Sequence, residues 1–131
     1  MSPYSEAELA EGLAADSAEE LLAVLLSRGF GRGAGGVTTL YAYATGKLRS
    51  RLGDLGVFQR AFGNELYAPL LQSSEVHAEP PVEIGGSARA ELHVLHAGHG
   101  ATYQLGMTQE RAGPHAGRGR LSGLFREGVD L

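Results

Sequence analysis

The chain has 131 residues, eleven basic and fifteen acidic, for a net charge of −4, with neither cysteine nor tryptophan. That length fits one domain with a single core, and the lack of cysteine excludes thiol nucleophiles, disulfides and thiolate zinc sites. The nearest approach to a basic stripe is the pairs Arg49/Arg51 and Arg118/Arg120, so nucleic acid is not an expected partner.

Glu6, Glu8, Glu11, Asp16, Glu19 and Glu20 precede the apolar run LLAVLL at 21–26. A secretory leader needs a basic start and a longer apolar stretch, and a membrane span needs ~20 residues. The expectation is a soluble, cytoplasmic protein without a membrane partner. Ser5 with Glu8 and Ser17 with Glu20 fit capping boxes, in which side chains satisfy the free N–H groups of a helix start. Residues 1–16 therefore read as an N-terminal extension or short helix, and 17–131 as a single domain. AEELLAVLLSR follows the second box, with Leu21, Leu22, Leu25 and Leu26 at helical spacing and Gly29 as the stop.

In GFGRGAGGV (29–37), Gly31, Gly33 and Gly36 satisfy G-x-G-x-x-G. A dinucleotide fingerprint follows a strand and opens a helix, whereas these glycines follow a helix, so a flexible connector is expected. VTTLYAYAT reads as a buried short helix or a strand. Residues 54–63 read as a helix with Leu55, Phe58 and Phe62 on one face and Asp54 as N-cap. Pro69 then ends helical character.

From Ser74 the period changes to two. Val76, Ala78, Pro80, Val82 and Ile84 alternate with polar residues; after Gly85–Gly86, so do Ala88, Ala90, Leu92 and Val94. After AGHG come Ala101, Tyr103, Leu105 and Met107. In the last strand, Leu121 and Phe125 oppose Arg120, Ser122 and Arg126. Four strands with short turns predict an antiparallel meander with one apolar face, and helices followed by sheet make the fold α+β. Pro80 and Pro81 place a bulge or an edge in the first strand.

The segments LYAYATGKLRSRLGDLGVFQRAF, ELYAPLL, ATYQLGMTQERAGPHAG and LSGL resemble an uncharacterised subgroup of the cystatin-like, nuclear-transport-factor-two-like (SnoaL-like) superfamily, over roughly residues 17–129. The chain departs from that subgroup at Ala44-Thr45-Gly46, where relatives carry Ser-Pro, and near Gly119, where they carry tryptophan. The resemblance implies a cone: helices packed into the concave side of a curved sheet, often around an apolar pocket. Its members include isomerases, hydratases and cyclases as well as binding and dimerising modules.

The expected lining of such a pocket is Tyr41, Tyr43, Phe58, Phe62, Leu92, Val94, Tyr103, Leu105, Met107, Leu121 and Phe125. No carboxylate falls among the inward positions, although a one-residue slip in register would bring Glu91 and His93 inside. Cofactor-independent acid–base chemistry would have to draw on Tyr103 as acid and Asp54 or His96 as base. In HVLHAGHG, His93 and His96 point to opposite faces of a strand. Ala97-Gly98 forms a two-residue turn that sets His96 opposite His99. Two imidazoles would hold Ni²⁺ or Cu²⁺ weakly, short of the three or four ligands a zinc site uses. No cofactor is expected. The leading expectation is a non-enzymatic module that forms a homodimer or holds a small apolar ligand. The alternative is an isomerase or hydratase acting on a hydrophobic substrate.

Overall fold

A computed structural model describes residues 4–126, apart from the side chain of Ala34. Among the described residues, six helices precede five strands: α1 Glu6–Glu11, α2 Ala18–Arg28, α3 Gly33–Tyr43, α4 Gly46–Leu52, α5 Leu55–Phe62, α6 Ala68–Leu71, β1 Glu75–Ala78, β2 Val82–Ile84, β3 Ser87–His96, β4 His99–Gln109 and β5 Gly119–Arg126. The strands form one open antiparallel sheet in the order β1-β3-β4-β5, with β2 also paired to β3. The helices pack on one side of this curved sheet, so the domain is α+β.

The helix starts follow their capping chemistry. Ser5 and Glu8 close a reciprocal box on α1. Ser17 accepts from the Glu20 amide, but the Glu20 carboxylate reaches the Asp16 amide rather than that of Ser17. Thr45 caps α4 and Asp54 caps α5. Two expectations need correction. The glycine run is not a connector, because α3 begins at Gly33. A Cβ on Gly36 would stand 1.9 Å from the carbonyl oxygen of Gly29, so glycine there lets α3 pass close to the end of α2. Pro69 does not end a helix either. It occupies the first turn of α6, where its missing N–H has no helical partner to lose.

The N-terminal segment is bound into the domain rather than appended to it. Arg49 donates to the carbonyls of Leu9 (2.7 Å) and Tyr41 (2.8 Å), joining the ends of α1 and α3, while its guanidinium lies 4.1 Å from the centre of the Tyr41 ring. Burial lowers the pKa of this guanidinium, with nearby Arg120 adding to the effect. Arg120, buried, donates to the Leu13 carbonyl and pairs with Glu110 at 3.3 Å. Arg118 holds the Ala14 carbonyl and Asp16. Ala15 and Gly119 exchange backbone hydrogen bonds, adding a short bridge to β5.

Two irregularities decide which side chains face out. Ala78 pairs with Leu92 but Val82 pairs with Arg89. Four residues on one side thus span three on the other, and the extra one falls at the two prolines. The alternation inverts there: Val76 and Ala78 pack against the core, whereas Val82 and Ile84 stand on the opposite face. In β5, Leu121 pairs with Met107 and Gly123 with Gly106. Ser122 is therefore a bulge. Leu121 and Leu124 face the helices, and Phe125 turns outward beside Gln104.

Candidate functional site: the outer face of the sheet

The inner face is filled by the residues expected to line a pocket. Phe58, Phe62, Leu92, Val94, Tyr103, Leu105, Met107 and Leu121 are all buried members of one cluster, with Tyr41 and Tyr43 packed against it. A chain of ring contacts runs through it: Tyr41 to Phe58 at 5.1 Å, Phe58 to Phe62 at 5.9 Å, Phe62 to Tyr67 at 5.3 Å and Tyr67 to Tyr103 at 6.1 Å. Edge and tilted geometries such as these suit aromatic quadrupoles. The Tyr103 hydroxyl donates to the Leu66 carbonyl at 2.5 Å. Burial raises its pKa, partly opposed by nearby Arg126. Burial raises that of Tyr43 as well.

The residues that could serve acid–base chemistry lie on different elements, Asp54 at the start of α5, His96 at the end of β3 and Tyr103 within β4. Asp54 is exposed and accepts from the Val57 amide at 3.1 Å, as a helix cap does. His96 and His99 are opposite one another across the Ala97-Gly98 turn, and His96 Nδ1 lies 3.2 Å from the Gln72 carbonyl. Glu91 and His93 are on the outer face, in register with Gln104 and Thr102. Among the described residues, no group of three or more His, Asp or Glu side chains is placed to hold a metal ion.

Phe125 belongs to neither set. It was expected inside, but the Ser122 bulge reverses the alternation beyond it, and the residue is 57% exposed. The same holds for Val82 at 62% and Ile84 at 79%, reversed by the prolines. Leu95, 38% exposed, shares the outward parity of Arg89, Glu91 and His93 along β3. These four are the exposed large hydrophobic residues among those described. All four stand on one face of the sheet.

Between Val82 and Ile84 on one side and Phe125 on the other runs an open groove of about 620 Å³. Its floor carries Arg89, Glu91, Gln104, Gly106 and Gly123, with Glu79 and Pro80 at one end. A Cβ on Gly123 would meet the Phe125 ring at 3.0 Å, so glycine there lets the ring lie across the strand as a wall. Alternation alone would have put Val82, Ile84 and Phe125 inside. The only sign of the groove in the sequence was the proline pair.

What the fold and this face define is a class: an α+β domain with helices covering one side of an open sheet and a mixed apolar and charged groove on the other. Among the described residues, no helix is long and apolar enough to cross a membrane. Comparison with family models, curated proteins and solved structures finds no match to this chain.

Proposed function

We propose that the protein is a dimerising module whose outer sheet face packs against the same face of a second copy. The observation that carries this reading is the placement of Val82, Ile84, Leu95 and Phe125 on one sheet face. Clustered exposed hydrophobic residues with polar neighbours mark association surfaces. A second copy suits the face because a two-fold contact needs a self-complementary patch. Here apolar walls flank a floor that holds both Arg89 and Glu91, so the cation of one copy has a carboxylate to meet on the other. Likeness to the SnoaL-like superfamily, carried by the segments quoted above, agrees with helices on one side of a curved sheet and belongs to the same proposal.

A second reading has its own support. The groove volume of about 620 Å³ is within the range of small-ligand sites, which combine apolar walls with a few polar groups. The occupant would be a small amphipathic molecule lying across Arg89.

Sedimentation equilibrium of wild type and of the double variant Ile84→Ser, Phe125→Ser separates the readings. The expected result is a dimer at micromolar concentration, weakened at least about tenfold in the variant, with unchanged circular dichroism. A wild type that stays monomeric at a millimolar would sink the dimer and turn attention to the ligand.

A further inference from the structure

Beside the groove, the outer face carries a titratable cluster. His77 and His93 are directly opposed on β1 and β3, their rings stacked at 20° with centroids 6.3 Å apart. One carboxylate oxygen of Glu79 lies 3.9 Å from His77 Nε2 and 3.8 Å from His93 Nε2. His93 Nδ1 is 3.3 Å from the Thr102 hydroxyl. Around them, the outward charged positions are Glu75 and Glu79 from the β1 side and Arg89 and Glu91 from β3, while β4 presents Gly100, Thr102 and Gln104. Glu83 on β2 pairs with Ala88 and takes the opposite parity.

Three carboxylates therefore stand against one guanidinium while both imidazoles are neutral. When two copies meet, Arg89 of each answers one carboxylate of the other and leaves a surplus of negative charge on both faces. Resting on the dimer reading, we propose that protonation of His77 and His93 controls this association, so that the dimer tightens on acidification. Histidine is the side chain that changes charge between about pH 5 and 8. Two imidazolium groups would offset the two surplus carboxylates on each face, and each has the Glu79 oxygen within ion-pair reach.

The opposing effect is desolvation of a charged imidazole in the contact. The His77 side chain is 74% exposed and that of His93 43%, and His77 is on β1, away from the groove walls. The cluster thus lies at the rim, where charges keep much of their hydration, so repulsion between the acidic faces decides the sign.

The test measures the dimer dissociation constant by sedimentation at pH 8 and pH 6, in 50 mM and 500 mM NaCl. The variants are His77→Gln with His93→Gln, and as control His96→Gln with His99→Gln. The expected result is association about tenfold tighter at pH 6 than at pH 8 in low salt. That difference should shrink in high salt, which screens exposed charge. It should disappear in the His77/His93 variant and persist in the control. A dimer with no pH response, a weaker dimer at pH 6, or a response retained in the His77/His93 variant overturns this inference and leaves the dimer standing. A monomer under every condition overturns both.

Discussion

At the scale of single residues, the polar groups inside this domain act mainly as fasteners. The Tyr103 hydroxyl is the clearest case, buried beneath the helices and bonded to the Leu66 carbonyl. Replacing it with phenylalanine keeps the ring contact to Tyr67 and removes the hydrogen bond, so Tyr103→Phe should cost about 1 kcal/mol at pH 7. The hydroxyl also has a pH signature. Burial raises its pKa in the fold, whereas the unfolded chain ionises near the ordinary value of about 10. A raised pKa means the folded state holds its proton more tightly. The associated stability is present below about pH 10 and is lost as pH rises through the folded value. Chemical denaturation at pH 7 and pH 10.5 should therefore show a shallower alkaline loss in Tyr103→Phe than in wild type. The loss should not vanish, because Tyr43 is shifted the same way. A parallel decline in both proteins would remove Tyr103 from the account. At this scale the sequence was informative about caps, because a cap is a local bond: Ser5, Ser17 and Asp54 were legible from spacing alone. The reach of Arg49 to Leu9, forty residues away, was not.

At the scale of elements, turns and irregularities carry the design. The β3–β4 turn has φ of 51° at Ala97 and 80° at Gly98, the left-handed pair of a type I′ hairpin. Glycine takes that conformation freely, but alanine does not. Asparagine tolerates it, and Asn-Gly is the favoured sequence there. Ala97→Asn should raise stability by about 0.5–1 kcal/mol, read as an upward shift in the thermal midpoint. A lower midpoint would mean that the turn is not of this type. The hairpin itself was visible in AGHG, because two strands of matched alternation flanked a two-residue turn. The reversals in β1–β2 and β5 were less visible. Pro80 and Pro81 announced a fault in the strand without its consequence, and nothing in GRLSGLFR marks Ser122 as the extra residue. A bulge is a property of two strands, since it is set by which partner residues are left to pair.

At the scale of the whole molecule, the N-terminal segment and the body of the domain depend on each other. Arg49, Arg118 and Arg120 each donate to a carbonyl within residues 9–14, and Tyr4 bonds Thr39 across the core at 2.9 Å. Removing residues 1–16 would strip these carbonyls from partly buried cations and uncover apolar surface together. The truncated chain should lose about 2–4 kcal/mol, seen as a lower denaturation midpoint. A truncated chain as stable as the full one would show that the segment is an appendage after all. The order of elements, helices first and then a meander, was readable from the change of period at Ser74. So was the α+β class, because the period of hydrophobic residues reports the local backbone whatever it packs against. Which face each strand residue occupies after an irregularity was not local. The proline insertion and the Ser122 bulge carry Val82, Ile84 and Phe125 from the core side to the outside, and only pairing with β3 and β4 fixes where that happens. The sequence alone determined the capped starts of α1, α2 and α5, the alternation within the strands and the class of fold, because caps and periodicity are set within a few residues. The tertiary structure alone decided the filled interior, the arginine fasteners and the apolar outer face, because each depends on the register of strands and contacts between residues far apart in the chain.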